Sequence, residues 1–75
     1  MNITTEEMTK LQQYLQSKFG NSQINIRARA QAQDSAEVLL GGEFIGVIYK
    51  DDEDAEDISY DFNMAILKMD LDAAA

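Results

Sequence analysis

The spacing of apolar residues changes at Gly20, and this change limits the chain to one helix followed by strands. Before Gly20, apolar residues recur every three or four positions, which is the spacing of one face of an α-helix. After it, they alternate with polar residues, as they do along a half-buried strand. The helical stripe consists of Met8, Leu11, Leu15 and Phe19. We therefore expect a helix that packs on a sheet.

Both ends of this helix carry recognisable signals. The segment Thr4-Thr5-Glu6-Glu7 has the form of a capping box, in which the Thr4 hydroxyl accepts a hydrogen bond from the Glu7 amide. The Glu7 carboxylate in turn accepts one from the Thr4 amide. Gly20 supplies the left-handed residue that commonly follows a helix. The predicted helix runs from about Thr5 to Lys18.

Four later segments predict strands of an antiparallel meander. In the first segment, residues 24–30, apolar and polar residues alternate. The second (36–40) and third (43–49) flank Gly41-Gly42, a dipeptide typical of a two-residue hairpin turn. The fourth covers residues 58–71, but its apolar positions change phase between Met64 and Leu67. We expect a bulge or bend there, with a short helical turn over residues 64–68 as the alternative.

The predicted fold class is therefore α+β. A single small domain, residues 1–72, has an N-terminal α-helix packed on a four-stranded antiparallel β-meander, in the order α-β-β-β-β. Residues 73–75 are expected to form a frayed tail.

The hairpin register predicts which side chains share a face of the sheet. A two-residue turn at Gly41-Gly42 pairs Leu39 with Phe44 and Val38 with Ile45. The face expected to lie under the helix holds Ala36, Val38, Leu40, Ile45, Val47 and Tyr49. The opposite face then carries Leu39, Phe44 and Ile48 beside Glu37, Gly46 and Lys50. A strongly twisted sheet with the C-terminal segment folded over this face is one explanation of the three apolar residues. A surface for a homodimer or another partner is the second.

The chemical inventory of the chain excludes several classes of function. Its 75 residues include no cysteine and no histidine. The chain therefore lacks the residues that form disulfides, the usual zinc sites and the usual nucleophile–base pairs. We therefore predict no enzyme activity, no catalytic or metal-binding residues and no cofactor. The start of the chain resembles no secretory leader, and no apolar run approaches the length of a membrane span, so a cytoplasmic protein without a membrane partner is expected. The formal charge of −8 also disfavours nucleic acid as a partner.

The negative charge is concentrated in the last third of the chain. Residues 51–75 carry nine acids against the single base Lys68, and most of these acids lie in residues 51–57. Such a run repels itself and favours a solvated loop. A calcium loop starting at Asp52 would need glycine at its sixth position and glutamate at its twelfth, where Asp57 and Asn63 stand. Weak binding of divalent cations nevertheless stays open.

Several stretches resemble a known family. They include residues 11–15 and 19–21, 34–38, 42–49 with 51–54, 59–60 with 62–67, and 69–71, and the segments Glu43–Tyr49 and Phe62–Leu67 are the most specific. Over residues 8–71 the chain resembles the alphaproteobacterial domain-of-unknown-function family 3126. The resemblance implies a short, acidic, cytoplasmic bacterial protein, and it implies no activity, ligand or site residue.

These observations favour a small protein–protein binding or adaptor module. Its partner is either an unidentified protein or a second copy of the chain. An acidic mimic of nucleic acid and a weak divalent-cation-binding protein are the alternatives. The residues expected to bind the partner are Leu39, Phe44, Ile48, Asp51, Asp52, Glu53 and Asp54.

Overall fold

The computed structural model describes residues 2–74. Its elements, in chain order, are α1 (Thr5–Phe19), β1 (Ile24–Ala28), β2 (Ser35–Leu40), β3 (Glu43–Asp51), β4 (Ser59–Met64) and α2 (Lys68–Ala74). The four strands form one antiparallel sheet in the order β1-β2-β3-β4. The predicted fold class, an N-terminal helix on a four-stranded meander, is confirmed. Neither helix in the described residues combines the length and apolarity that crossing a bilayer requires.

Helix α1 begins and ends at the residues that the sequence indicates. The Glu7 amide donates to Thr4 Oγ1 at 3.1 Å, and the Thr4 amide donates to Glu7 Oε1 at 2.9 Å, which completes the capping box. Gly20 follows the helix with φ 60° and ψ 39°, a left-handed conformation that costs glycine little. Local sequence therefore sets both ends of α1.

Helix α1 lies toward the β1 side of the sheet. The amide of Ile26 donates to Gln12 Oε1 at 2.9 Å, and Gln16 Nε2 donates to the Ile24 carbonyl at 2.9 Å. These two glutamines satisfy backbone groups along the outer edge of β1, which would otherwise be free to pair with another strand. Within the described residues, β4, at the other edge of the sheet, has no comparable cover.

A β-bulge in β3 overturns the predicted register beyond Phe44. Leu39 pairs with Phe44 as expected, but Val38 pairs with Gly46, so Ile45 is an extra residue on β3. Because side chains alternate along a strand, the extra residue exchanges the faces of all later positions on β3. Ile48 therefore lies in the core, and the predicted exposure of its side chain is wrong. Val47 and Tyr49, predicted to lie under the helix, occupy the opposite face.

The core is small and lies between α1 and the middle of the sheet. Its buried members are Leu15, Ile24, Val38 and Ile48. The side chain of Ile48 is only 2% exposed. Partly buried side chains, including Ile45 and Phe62, surround this cluster. Sequence alternation identified Ile24 and Val38, whereas the burial of Ile48 depends on the bulge.

The C-terminal segment departs from the predicted long strand. Strand β4 ends at Met64, residues 65–67 are irregular, and α2 begins at Lys68. The change of phase in the apolar pattern marks the end of the strand instead of a bulge within it. The alternative helical turn is closer to the structure, although the helix begins at the last residue of the proposed range. Ala75 lies outside the described residues, and fraying of residues 73–75 stays a prediction.

Candidate functional site

The face of the sheet that points away from α1 carries an apolar patch. This face is called the outer face below, and its residues include Leu39, Phe44, Val47, Tyr49, Asp51 and Asp61, as the strand pairing places them. Phe44 is 52% exposed and Tyr49 is 43% exposed, while Leu39 and Val47 are half-buried. No described element packs over these side chains. A contiguous exposed apolar patch of this kind is typical of an interaction surface.

The C-terminal segment flanks the outer face without filling it. Leu67 and Asp70 form one side of a groove of about 570 Å³, and Phe44, Val47 and Tyr49 form the other. Leu67 itself is 53% exposed. The expectation that the C-terminal segment would fold over this face is therefore wrong, because the segment leaves the large apolar side chains open to solvent.

The outer face becomes acidic toward the opposite end of the sheet. Tyr49 pairs with Asp61, and Asp51, the last residue of β3, pairs with Ser59. Arg27 and Glu37, which neutralise each other, also lie on this face, with Arg27 Nη2 2.6 Å from Glu37 Oε1. The outer face thus has an apolar end at Leu39 and Phe44 and an acidic end at Asp51.

The predicted binding residues fall into three separate places. Leu39 and Phe44 stand opposite each other on the outer face, as predicted. Ile48 is buried on the helix side and cannot contact a partner. Asp51 lies roughly 20 Å along β3 from Phe44, and residues 52–54 lie in the loop beyond it. The structure therefore separates the predicted acidic residues from the predicted apolar ones and connects them through Val47 and Tyr49.

The acidic loop uses its carboxylates to hold its own turns. The amide of Glu53 donates to Asp51 Oδ1 at 3.3 Å, and the amide of Glu56 donates to Asp54 Oδ1 at 3.0 Å. These contacts are local turns in which an aspartate accepts from the residue two positions on. In residues 2–74, no three acidic side chains come close enough together to hold a metal ion.

A charged cluster joins the start of α1 to β3 and β4. Lys50 Nζ lies 2.9 Å from Glu7 Oε2 and also donates to the Asn2 carbonyl at 3.4 Å. The Tyr60 hydroxyl donates a hydrogen bond to the same Glu7 carboxylate oxygen. The side chains of Lys50 and Glu7 are 8% and 20% exposed. This Glu7 cluster fixes the helix on the sheet.

The Glu7 cluster shifts the titration of two of its members. The Lys50 ammonium, the Tyr60 hydroxyl and the Thr4 amide together lower the pKa of Glu7 from 4.5 to about 2. The Glu7 carboxylate raises the pKa of Tyr60 from 10.0 to about 12, because the phenol proton is held in a hydrogen bond to an anion. Both shifts stabilise the folded state near neutral pH. The Glu7 cluster has a structural role, since its polar groups form hydrogen bonds and an ion pair with one another and with the backbone of the same chain.

A second apolar surface lies on the helix side of the sheet. Because α1 covers the β1 half, the inner face of β4 is left open beside it. Two adjoining hollows, of about 240 and 270 Å³, share Leu15 and Phe62 and form one channel, called the α1–β4 groove below. Its exposed lining includes Tyr14, Phe19, Leu40 and Met64.

Sequence reasoning missed Val47, Tyr49 and the Glu7 cluster for the same reason. All of these placements follow from the extra residue at Ile45, and hairpin chemistry alone predicts an unbroken register. Gly46 was the one available signal, because a glycine inside a strand commonly marks a bulge or a close approach. Both occur here: Gly46 follows the extra residue, and a Cβ at Gly46 would lie 2.6 Å from Phe62 Cε1.

These features define a class of protein: a small α+β domain with one capped helix, an antiparallel meander and two uncovered apolar surfaces. Residues 7–70 match the family described as "Protein of unknown function (DUF3126)". The chain belongs to that family. No curated protein matches the chain, and no solved structure matches it either.

Proposed function

We propose that the protein is a protein–protein binding module that acts in the bacterial cytoplasm through the outer face. The observation that carries this proposal is the open apolar patch of Leu39, Phe44, Val47 and Tyr49 on one side of the sheet. Aromatic side chains surrounded by polar groups are the usual anchors of protein interfaces.

The charge of the face indicates the chemistry of the partner. Asp51 and Asp61 continue the apolar patch toward the acidic loop, and Arg27, a base on this face, is already paired with Glu37. A complementary partner surface carries an apolar centre with lysine or arginine on one side. Opposite charges of this kind increase the association rate and orient the partner.

The test places a photo-crosslinking amino acid at Phe44 in the source cells. Tyr14 is the matched control position, since it is also a large, exposed aromatic residue (60%) but lies on α1, on the opposite side of the sheet. We expect an adduct with a different protein from position 44 and none from position 14. The yield should fall in lysates of raised ionic strength, because salt screens exposed charges.

Two results would refute the proposal. One is that position 44 gives no more adduct with a different protein than position 14 does. The other is an adduct whose mass equals two copies of this chain, since the outer face would then serve self-association. The alternative of a divalent-cation-binding protein gains no support here, because no three acidic side chains in residues 2–74 come close enough together to hold a metal ion.

A further inference from the structure

The C-terminal arm, residues 65–74, packs little on the rest of residues 2–74: it flanks the outer face through Leu67 and Asp70 without covering it. Its large apolar side chains are strongly exposed: Ile66 by 66%, Met69 by 72% and Leu71 by 59%. Helix α2 has only seven residues. Isolated helices shorter than about 12 residues are marginal in water and owe their stability to packing on an apolar face. Burial of these exposed side chains on a further apolar surface would therefore stabilise the arm.

The whole molecule exposes too much surface for a monomer of its size. Its accessible area is 5638 Å², whereas a folded monomer of 8.4 kDa is expected to expose about 4,600 Å². The excess of about 1,000 Å² is close to the ~800 Å² that each partner buries in a standard interface. The radius of gyration, 13.5 Å, also exceeds the roughly 11 Å expected for 75 residues.

The α1–β4 groove has the chemistry that the arm needs. At the end where β4 stops, its lining is apolar except for Asn21, and it includes Phe19, Leu40, Ile45 and Met64. Met64 is also the residue from which the arm departs. In a dimer whose two-fold axis passes beside Met64, residues 65–67, about 10 Å long when extended, would link β4 of one copy to an α2 that lies in the groove of the other.

The charges at the two surfaces are also complementary. Lys18 directly precedes Phe19, which lines the groove, and forms no ion pair with any residue in 2–74. In the arm, Lys68 pairs with Asp72 at 2.9 Å, whereas Asp70 forms no ion pair with any residue in 2–74. Opposite charges at the rim of an apolar contact favour this partner and register over others.

From these observations we propose that two copies of the chain form a symmetric dimer by exchanging arms. The apolar side of each α2 lies in the α1–β4 groove of the other copy. The outer face remains open in such a dimer, so this proposal and the binding of another protein concern different surfaces and stand or fall separately.

Sedimentation of the purified chain tests the oligomeric state. We expect a dimer at micromolar concentration, weakened ~10-fold or more by Leu71→Asp in the arm and likewise by Phe19→Asp in the groove, because each places a charge in an apolar contact. Both residues are exposed within the monomer, so neither change should unfold it. Ile58→Asp is the matched control and should leave the dimer intact.

Mixing the two variants tests whether the arms are exchanged. The Leu71→Asp chain keeps a normal groove and the Phe19→Asp chain keeps a normal arm, so an equimolar mixture should form heterodimers with one intact contact. The chain has no cysteine, so Asn21→Cys with Met69→Cys should also give a covalent dimer on oxidation. Ile58→Cys with Met69→Cys should not.

Three results would overturn the exchange. The first is a wild-type chain that sediments as a monomer at millimolar concentration, which would mean that the arm does not bind a second copy. The second is a dimer that both Leu71→Asp and Phe19→Asp leave as stable as in the wild type, which would indicate pairing through the edge of β4 or the outer face. The third is an Asn21→Cys, Met69→Cys chain that forms only an intramolecular disulfide, which would show that the arm folds back on its own copy.

Discussion

At the scale of single residues, Glu7 has more structural roles than any other side chain described. It closes the capping box with Thr4, accepts a hydrogen bond from the Tyr60 hydroxyl and pairs with Lys50. The first role is local and could be read from the sequence. The other two depend on residues 43 and 53 positions away, which only the folded sheet brings to the helix.

The first prediction concerns stability in acid. The pKa of Glu7 is about 2 in the folded protein and 4.5 ordinarily, so its contribution is complete above pH 4.5 and is lost as the pH falls toward 2. Glu7→Gln should lower the free energy of unfolding at neutral pH by about 2 kcal/mol and flatten its decline between pH 4.5 and 2. Urea titrations across this range measure both effects.

The matched control is Glu6→Gln. Glu6 is a neighbour on the same helical turn, but its side chain is 79% exposed and forms an ion pair with the similarly exposed Lys10. A change of less than about 0.5 kcal/mol is expected there. Equal losses in the two variants, or an unchanged acid profile in Glu7→Gln, would contradict the role given to the cluster.

The second prediction concerns stability in base. The folded protein holds the Tyr60 proton up to about pH 12, whereas the unfolded chain releases it near 10.0, so this contribution is complete below pH 10 and is lost as the pH rises through about 12. Tyr60→Phe should remove this alkaline decline. A pH titration followed by phenolate absorbance should show a component near pH 12 in the wild type. Tyr60→Phe should lose this component, and Tyr14→Phe should keep it. A wild-type titration in which that component appears near pH 10 would count against the hydrogen bond to Glu7.

At the scale of elements, the bulge in β3 decides what each face of the sheet does. Without Ile45 as an extra residue, Ile48 and Lys50 would point away from the helix, and both the core and the Glu7 cluster would be missing a member. Gly46 permits this arrangement because the Phe62 ring and the Asn63 carbonyl occupy the space of a side chain.

The third prediction therefore concerns Gly46→Ala. The added methyl group would lie 2.6 Å from Phe62 Cε1 and closer still to the Asn63 carbonyl oxygen, so the strands must separate. We expect a loss of ~1–3 kcal/mol in the free energy of unfolding, measured by denaturant titration. Adding Phe62→Leu to Gly46→Ala should restore only part of the lost free energy of unfolding, because the close contact with the Asn63 carbonyl remains. A Gly46→Ala variant as stable as the wild type would show that β3 and β4 are not closely packed here.

At the scale of the whole molecule, apolar residues outnumber the positions that the fold can bury. Among the described residues, six hydrophobic side chains are buried and eleven large ones are exposed. A single helix can cover only part of a four-stranded sheet, and α1 covers the β1 half. The outer face and the α1–β4 groove are therefore a direct consequence of this architecture, and each is a surface on which another chain can bury apolar area.

The sequence by itself determined the features that depend on neighbours along the chain. Capping residues predicted the ends of α1 to within one residue, glycines predicted the β2–β3 turn, and alternation predicted the meander. The apolar end of the outer face, Leu39 opposite Phe44, also followed from local turn chemistry. Each of these signals acts over four residues or fewer, so it needs no knowledge of the rest of the fold.

Only the tertiary structure decided which side chains a long strand presents to each face. One extra residue in β3 moved Ile48 into the core, turned Tyr49 outward and brought Lys50 to Glu7. The end of β4 and the position of the arm likewise depend on what the sheet leaves uncovered. The physical reason is that strand register is a cooperative property of paired chains, and a shift of one residue reverses every later position.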